Sequence, residues 1–235
     1  MSYLILVRHG LSMWNLTNKF SGWVDMPLSE RGVLEAQLCA EDLKDLKIDV
    51  AYTSELRRAQ QTLLTILSKQ NRTGIFLHRD TNKHNWLQNS NKFDKNEIPV
   101  YYSMALNERY YGELQGMDKD QARKKYGEEN VLAWRRGYTD KPPHGESLKD
   151  VYNRCVPYFR ARALKDVING KNVIVCGHGN TLRAIIKNLE NISDEKIVSL
   201  EFPMARPIIY KNKGETLERL DNGLTFDRKV YWEKM

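Results

Sequence analysis

No stretch of the 235-residue sequence is apolar for long enough to span a membrane. The first apolar run, Tyr3 to Val7, stops at Arg8 and is too short for a secretory leader, which predicts a cytoplasmic protein without a membrane partner. Cysteine is scarce: Cys39, Cys155 and Cys176 are odd in number and widely spaced, and no CxxC pair occurs. That argues against a disulfide framework and a zinc ribbon, and predicts buried thiols in a reducing compartment. There is no HxxxH pair and no His–carboxylate cluster of ligand spacing, so no metal site is expected. Nor is there a run of five or more basic residues, although 37 Lys and Arg against 30 Asp and Glu leave a formal charge of +7. Such a balance suits either a nucleic acid or a small, highly anionic metabolite, and composition does not choose between them.

What is present reads as one α/β domain over residues 1–235. Apolar residues make up 41% of the chain and charged residues 29%, with five Trp, twelve Tyr and six Phe to fill a core. Strands are predicted at Tyr3–Val7, Asp49–Thr53, Gly74–Leu77, Lys171–Cys176 and Pro207–Tyr210, with Pro99–Met104 extended. Between them run helical patterns. Ser29 should cap a helix carrying Val33, Leu34, Leu38, Leu43 and Leu46, and Ser54 a helix to about Ser68 with Leu56, Ala59, Leu63, Leu64 and Leu67 inward. Short helices are expected at Lys119–Lys125 and Glu128–Arg136, a long one from Ser147 to about Ile168, and another after Gly179. Residues 80–97 form a polar excursion, and the tail from Lys213 to Met235 is polar and a candidate lid over a pocket. Alternating strands and helices imply a mostly parallel central sheet with helices on both faces, whose ligands gather at the carboxyl ends of the strands.

Two histidines follow predicted strands directly. His9 lies between Arg8 and Gly10, and His178 between Gly177 and Gly179. A neutral imidazole held at one ring nitrogen can attack phosphorus with the other, while a neighbouring guanidinium binds the phosphoryl oxygens. Glycine beside each histidine lets the backbone turn and a bulky anion approach. Arg58, about one turn into the helix after the second strand, adds a third cation at the same sheet edge. Phosphoryl transfer depends on such positioning and charge more than on covalent help.

The segments LVRHG, SMWN, FSGWVDMPLSERG, TSELRRAQQTL, ALNERYYGELQGMDK, EENVLAWRRGY, GESLKDV and GHGNTLRAIIK, in that order, resemble cofactor-dependent phosphoglycerate mutases of the histidine phosphatase superfamily. The likeness covers most of residues 3–190. RHG marks only the wider superfamily; LNERYYGELQG with WRRGY is more specific. The resemblance implies that His9 becomes phosphohistidine, with Arg8, Arg58, His178 and Asn15 around its phosphoryl group and Glu108 as general acid and base. It further implies that Ser21, Gly22, Arg109, Tyr111, Lys119, Arg135, Arg136, Gly179 and Asn180 bind phosphoglycerate. The activity implied is interconversion of 3-phosphoglycerate and 2-phosphoglycerate, primed by 2,3-bisphosphoglycerate, with no metal, no nucleic acid and a homodimer compatible with it. Moving phosphate between adjacent hydroxyls needs a second anion site, for which Lys119, Arg135 and Arg136 are suited.

Leu11 stands where Glu or Gln is usual, Tyr110 replaces a His, and FPMARP (202–207) replaces a Thr-Gly segment. The stretch from Pro143 to Gly145 is short. Three rival activities stay open at this level: a bisphosphoglycerate mutase or phosphatase, a broader phosphomonoesterase, and a non-catalytic basic binding protein.

Overall fold

Strand β1 (Tyr3–Arg8) alternates. Leu4 and Leu6 join one apolar cluster, Ile5 and Val7 another, and all four are fully buried. A strand that is apolar on both faces needs cover on both. The computed structural model, which describes residues 1–77, 94–214 and 216–220, shows that cover. After the single turn α1 (Met13–Leu16), helices α2 (Glu30–Leu43) and α3 (Arg57–Leu67) pack Cys39, Ala40, Leu43, Ala59, Leu63 and Ile66 against Ile5 and Val7.

Strand β2 (Val50–Thr53), β3 (Thr73–Leu77) and β4 (Glu97–Tyr102) follow. Two short helices, α4 (Lys119–Tyr126) and α5 (Glu128–Arg136), close a small separate cluster of Phe20, Leu114, Ala122 and Val131. Helix α6 (Leu148–Phe159) continues through a π-helical turn, Arg160–Leu164, into α7 (Lys165–Ile168). Strand β5 (Val173–Gly177) then leads into α8 (Gly179–Glu190), and α6 and α8 cover the Leu4 and Leu6 face. The described chain ends in β6 (Pro207–Asn212) and β7 (Leu217–Arg219).

The sheet order is β3-β4-β2-β5-β1-β6-β7. Its first five strands are parallel, and β6 and β7 are added antiparallel. Arg8 pairs with Gly177 and Thr53 with Cys176, so β1, β5 and β2 end together at one edge. This is the α/β architecture expected, with helices on both faces. Among the described residues no helix is long and apolar enough to cross a membrane. All three cysteines are buried, as expected, and burial pushes the Cys155 thiol up to about 12.

Several local expectations change. Ser54 is not a helix cap: α3 begins at Arg57 with Leu56 in the capping position, and the Ser54 hydroxyl meets His178 and accepts the Leu56 N–H ahead of the helix. Ser29 and Ser147 do cap, accepting from the backbone N–H groups of Gly32 and Asp150. Val33, Leu34 and Leu64 lie on the solvent side of α2 and α3, since Glu35, Ala36 and Cys39 take the inner face of α2 and Leu63 and Ile66 that of α3. The extended segment starts at Glu97, and Met104 belongs to a short turn after it. Most of the polar excursion lies outside the described residues. So does the tail from residue 221, whose earlier part supplies β7.

Candidate active site

His9 stands at the end of β1, where its backbone N–H donates to the Gly177 carbonyl (3.0 Å) across the parallel pair. Its Nδ1 lies 2.7 Å from the Gly10 carbonyl, which can only accept, so Nδ1 carries the proton and Nε2 keeps its lone pair. Toward that nitrogen Arg58 points Nε, at 3.3 Å. Gly10 is demanded by packing: a Cβ there would sit 2.4 Å from the Gly32 carbonyl oxygen in the first turn of α2. Burial first, then the charges of Arg58 and Arg8, hold the His9 imidazole well below its ordinary 6.5.

His178 ends the adjacent β5, its ring centroid 5.0 Å from that of His9. Its Nε2 lies 2.8 Å from the Ser54 hydroxyl, and its buried Nδ1 has no partner among the described residues. Burial, then Arg58 and His9, also hold His178 well below 6.5. Arg58 itself is almost wholly buried and is lowered to about 10 by that burial. Its Nη1 and Nη2 donate to the carbonyls of Val24 (3.1 Å) and Gly22 (2.7 Å), tying the loop after α1 to the start of α3. Gly22 has φ +51, and a Cβ on it would meet the Gln115 side chain at 2.2 Å. Arg8 donates from Nη1 to the Phe202 carbonyl at 2.9 Å, while its buried Nε has no partner among the described residues.

Glu108 faces these groups from the loop after β4. One carboxylate oxygen accepts the backbone N–H groups of Arg109 (2.7 Å) and Asn180 (3.2 Å). Its carbonyl accepts from the Trp23 indole and from Arg154 Nη2, so a ring and a guanidinium fix the loop that presents it. Farther out, Lys119 and Arg135 are each lowered mainly by burial, and Arg135 adds to the shift of Lys119.

These side chains enclose a cleft of about 260 Å³. Arg8, His9, Asn15, Ser21, Gly22, Arg58, Glu108, Tyr111, Lys119, Arg135, Arg136, Gly179 and Asn180, all singled out in the sequence, line it. His178 lies buried beside His9, just behind the lining. Arg109 departs from the expected binding role: it is fully buried behind the cleft wall, bonded to the Trp134 carbonyl and to Asn180 Oδ1. It thereby orients Asn180, whose amide donates to the Tyr111 hydroxyl at 3.3 Å.

Lys19, Phe20, Arg183, Leu200, Glu201 and Phe202 also line the cleft and were not read from the sequence. Arg183 was within reach, one helical turn after Asn180 in GHGNTLRAIIK. The others arrive through tertiary folding. Of the departures, Leu11 donates its N–H to Glu35 and Tyr110 packs edge-on against Trp23. Arg206 is exposed, and none of the three lines the cleft. Among the described residues no group of three His, Cys, Asp or Glu side chains is placed to hold a metal ion.

A family model described as the histidine phosphatase superfamily (branch 1) matches residues 4–81 and 90–222. A 2,3-bisphosphoglycerate-dependent phosphoglycerate mutase of Methanosarcina acetivorans is 48% identical, covering 93% of this chain and 95% of its own. The chain belongs to this superfamily, among its 2,3-bisphosphoglycerate-dependent phosphoglycerate mutases. A relative of the same description from Methanococcus vannielii is 45% identical over 98% of this chain and 100% of its own. In fold alone, the chain is similar to a solved structure described as mycobacterial hydrolase 1, with a TM-score of 0.73 at 21% identity, covering 93% of this chain and 95% of that one.

Proposed function

We propose that the chain interconverts 3-phosphoglycerate and 2-phosphoglycerate through a phosphohistidine at His9. The observation that carries this reading is the state of that ring: Nδ1–H is committed to the Gly10 carbonyl, and Nε2 is left with its lone pair beside Arg58 in an arginine-lined cleft. The names of the relatives support the substrate and the primer.

The residues fit a phosphoryl donor. Arg8 Nε, Ser21 Oγ and His178 Nδ1 are buried polar atoms without a partner among the described residues, and an anion's oxygens would satisfy them. When bound, 2,3-bisphosphoglycerate supplies the phosphoryl group that loads His9. His9 Nε2 is the nucleophile, and Arg8 and Arg58 neutralise the equatorial oxygens. The Ser54 hydroxyl already accepts the Leu56 N–H (3.2 Å), so it can donate to His178 Nε2. That leaves a proton on His178 Nδ1, ready to be donated to the same oxygens. Glu108 takes the proton of the attacking substrate hydroxyl and returns it to the leaving one. Lys119, Arg135 and Arg136 hold the second anion while the glycerate backbone is bound in either sense.

The test is conversion of 3-phosphoglycerate to 2-phosphoglycerate with and without catalytic amounts of 2,3-bisphosphoglycerate. Primer-dependent turnover, lowered at least about hundred-fold by Glu108→Gln, is expected of a positioned general acid and base. Turnover indifferent to the primer would reject the reading, and release of phosphate alone would make the chain a phosphatase.

A further inference from the structure

The cleft is walled by lysine and arginine, yet two carboxylates line it. Glu108 has an assigned place, with one oxygen held by two backbone N–H groups. Glu201 has none. Its Oε1 contacts Arg136 Nη2, one of the cations suited to the second anion. The two ends of this pair are held differently. Arg136 closes α5, and its carbonyl accepts from Arg183 Nη2 at 2.8 Å, so its backbone is tied to the buried helix α8. Glu201 lies in the irregular stretch before β6, next to Phe202, whose carbonyl accepts from Arg8. One short segment therefore places acceptors on two of the guanidiniums that line the cleft.

Resting on the mutase reading above, we propose that Glu201 is a specificity-determining residue that occupies Arg136 in the free enzyme as an internal competitor for the substrate's second anion. A ligand with a second anion gains Arg136 only by displacing Glu201, and a ligand with a phosphate alone leaves the pair in place. The Glu201 side chain is 66% exposed and that of Arg136 30%, so the pair is weakly held and readily exchanged. A substrate anion that can meet the guanidinium with two oxygens outcompetes it. The bias falls on how ligands are ranked, and the carboxylate of Glu201 takes no part in moving phosphate.

The experiment compares binding of 3-phosphoglycerate and glycerol 3-phosphate, which lacks the carboxylate, without primer, by calorimetry on the wild-type chain, Glu201→Gln and Glu201→Asp. Glu201→Gln should tighten 3-phosphoglycerate by about two- to five-fold, the range of a half-exposed ion pair, and leave glycerol 3-phosphate unchanged. Glu201→Asp keeps the charge but shortens the reach, so it should also tighten 3-phosphoglycerate, by less. In turnover the Glu201→Gln gain should appear as a lower KM without a rise in kcat. Equal tightening of both ligands would show a general field effect and overturn the proposal, as would unchanged or weaker 3-phosphoglycerate binding in Glu201→Gln. Failure of the wild-type chain to turn over would count against the mutase reading, while the binding ratio would still decide the role of Glu201.

Discussion

His9 is stripped of water and flanked by Arg58 and Arg8, and His178 is buried beside both Arg58 and His9. Every one of these influences disfavours the imidazolium, which keeps both rings uncharged at neutral pH. The same fact is a statement about stability. In the unfolded chain each ring titrates near 6.5, and in the folded chain only well below it. Below that pH the unfolded state binds protons that the native state refuses, so stability is complete above about 6.5 and falls as the medium is acidified. Urea unfolding from about pH 8 to about pH 5 should show the midpoint falling below about 6.5, with a shallower slope in His178→Gln. An equal slope in that variant would refute the assignment. Ser54 gives a second prediction at this scale. Ser54→Ala removes the partner of His178 Nε2, and kcat should fall about ten-fold, the size of one buried hydrogen bond left unmade, with KM less affected. Steady-state kinetics showing an unchanged kcat would remove Ser54 from the account.

Among the elements, the loop after β1 and the first turn of α2 fit each other through two glycines. A Cβ on Gly32 would stand 2.1 Å from the Leu11 carbonyl oxygen, just as one on Gly10 would strike Gly32. Alanine at position 32 would ordinarily gain about 0.5–1 kcal/mol of helix preference. The backbone contact should reverse that sign, and Gly32→Ala should lower the unfolding free energy by about 1–3 kcal/mol in urea. A stabilised variant would mean that the loop yields. This contact was not legible in the sequence, whereas β1 and β5 were. Continuous Val, Ile and Leu runs that end at Arg8 and Gly177 can be little else than buried strands, and a histidine after each marks the carboxyl edge. Ser54 misled because a cap and a hydrogen-bond partner for a distant histidine share the same residue type. Val33, Leu34 and Leu64 misled because helical spacing shows a face but not which face meets the sheet, and alanine, cysteine and Glu35 took the inner one. The resemblance implies Arg109 as a ligand, yet its guanidinium turns inward to Trp134 and Asn180. Glu201 and Phe202 join the cleft only because β6 returns beside β1, a pairing between chain ends that no local pattern carries.

For the whole molecule, part of the positive charge behind the net +7 is gathered in one cleft, which Arg8, Lys19, Arg58, Lys119, Arg135, Arg136 and Arg183 line. Cations gathered in one partly buried cleft repel one another until an anion enters, so ligand binding should stabilise the fold as a whole. At about a hundred times its Kd, 2,3-bisphosphoglycerate should add about 2.7 kcal/mol by mass action, raising Tm by about 5–10 °C for a chain of this size. Added salt should shrink the effect by screening. A Tm that ignores the ligand would mean that the cleft does not bind it. If, as proposed, arginine supplies the positive charge at the phosphoryl group, chelation should leave turnover unchanged; loss of activity restored by a divalent ion would contradict this. The most direct test is the mass of the intact protein after incubation with 2,3-bisphosphoglycerate. The account predicts the gain of one acid-labile phosphoryl group, located on His9 and absent from folded His9→Ala. A folded wild-type chain that gains none, or a His9→Ala chain that gains it equally, would contradict the central claim that His9 is the nucleophile.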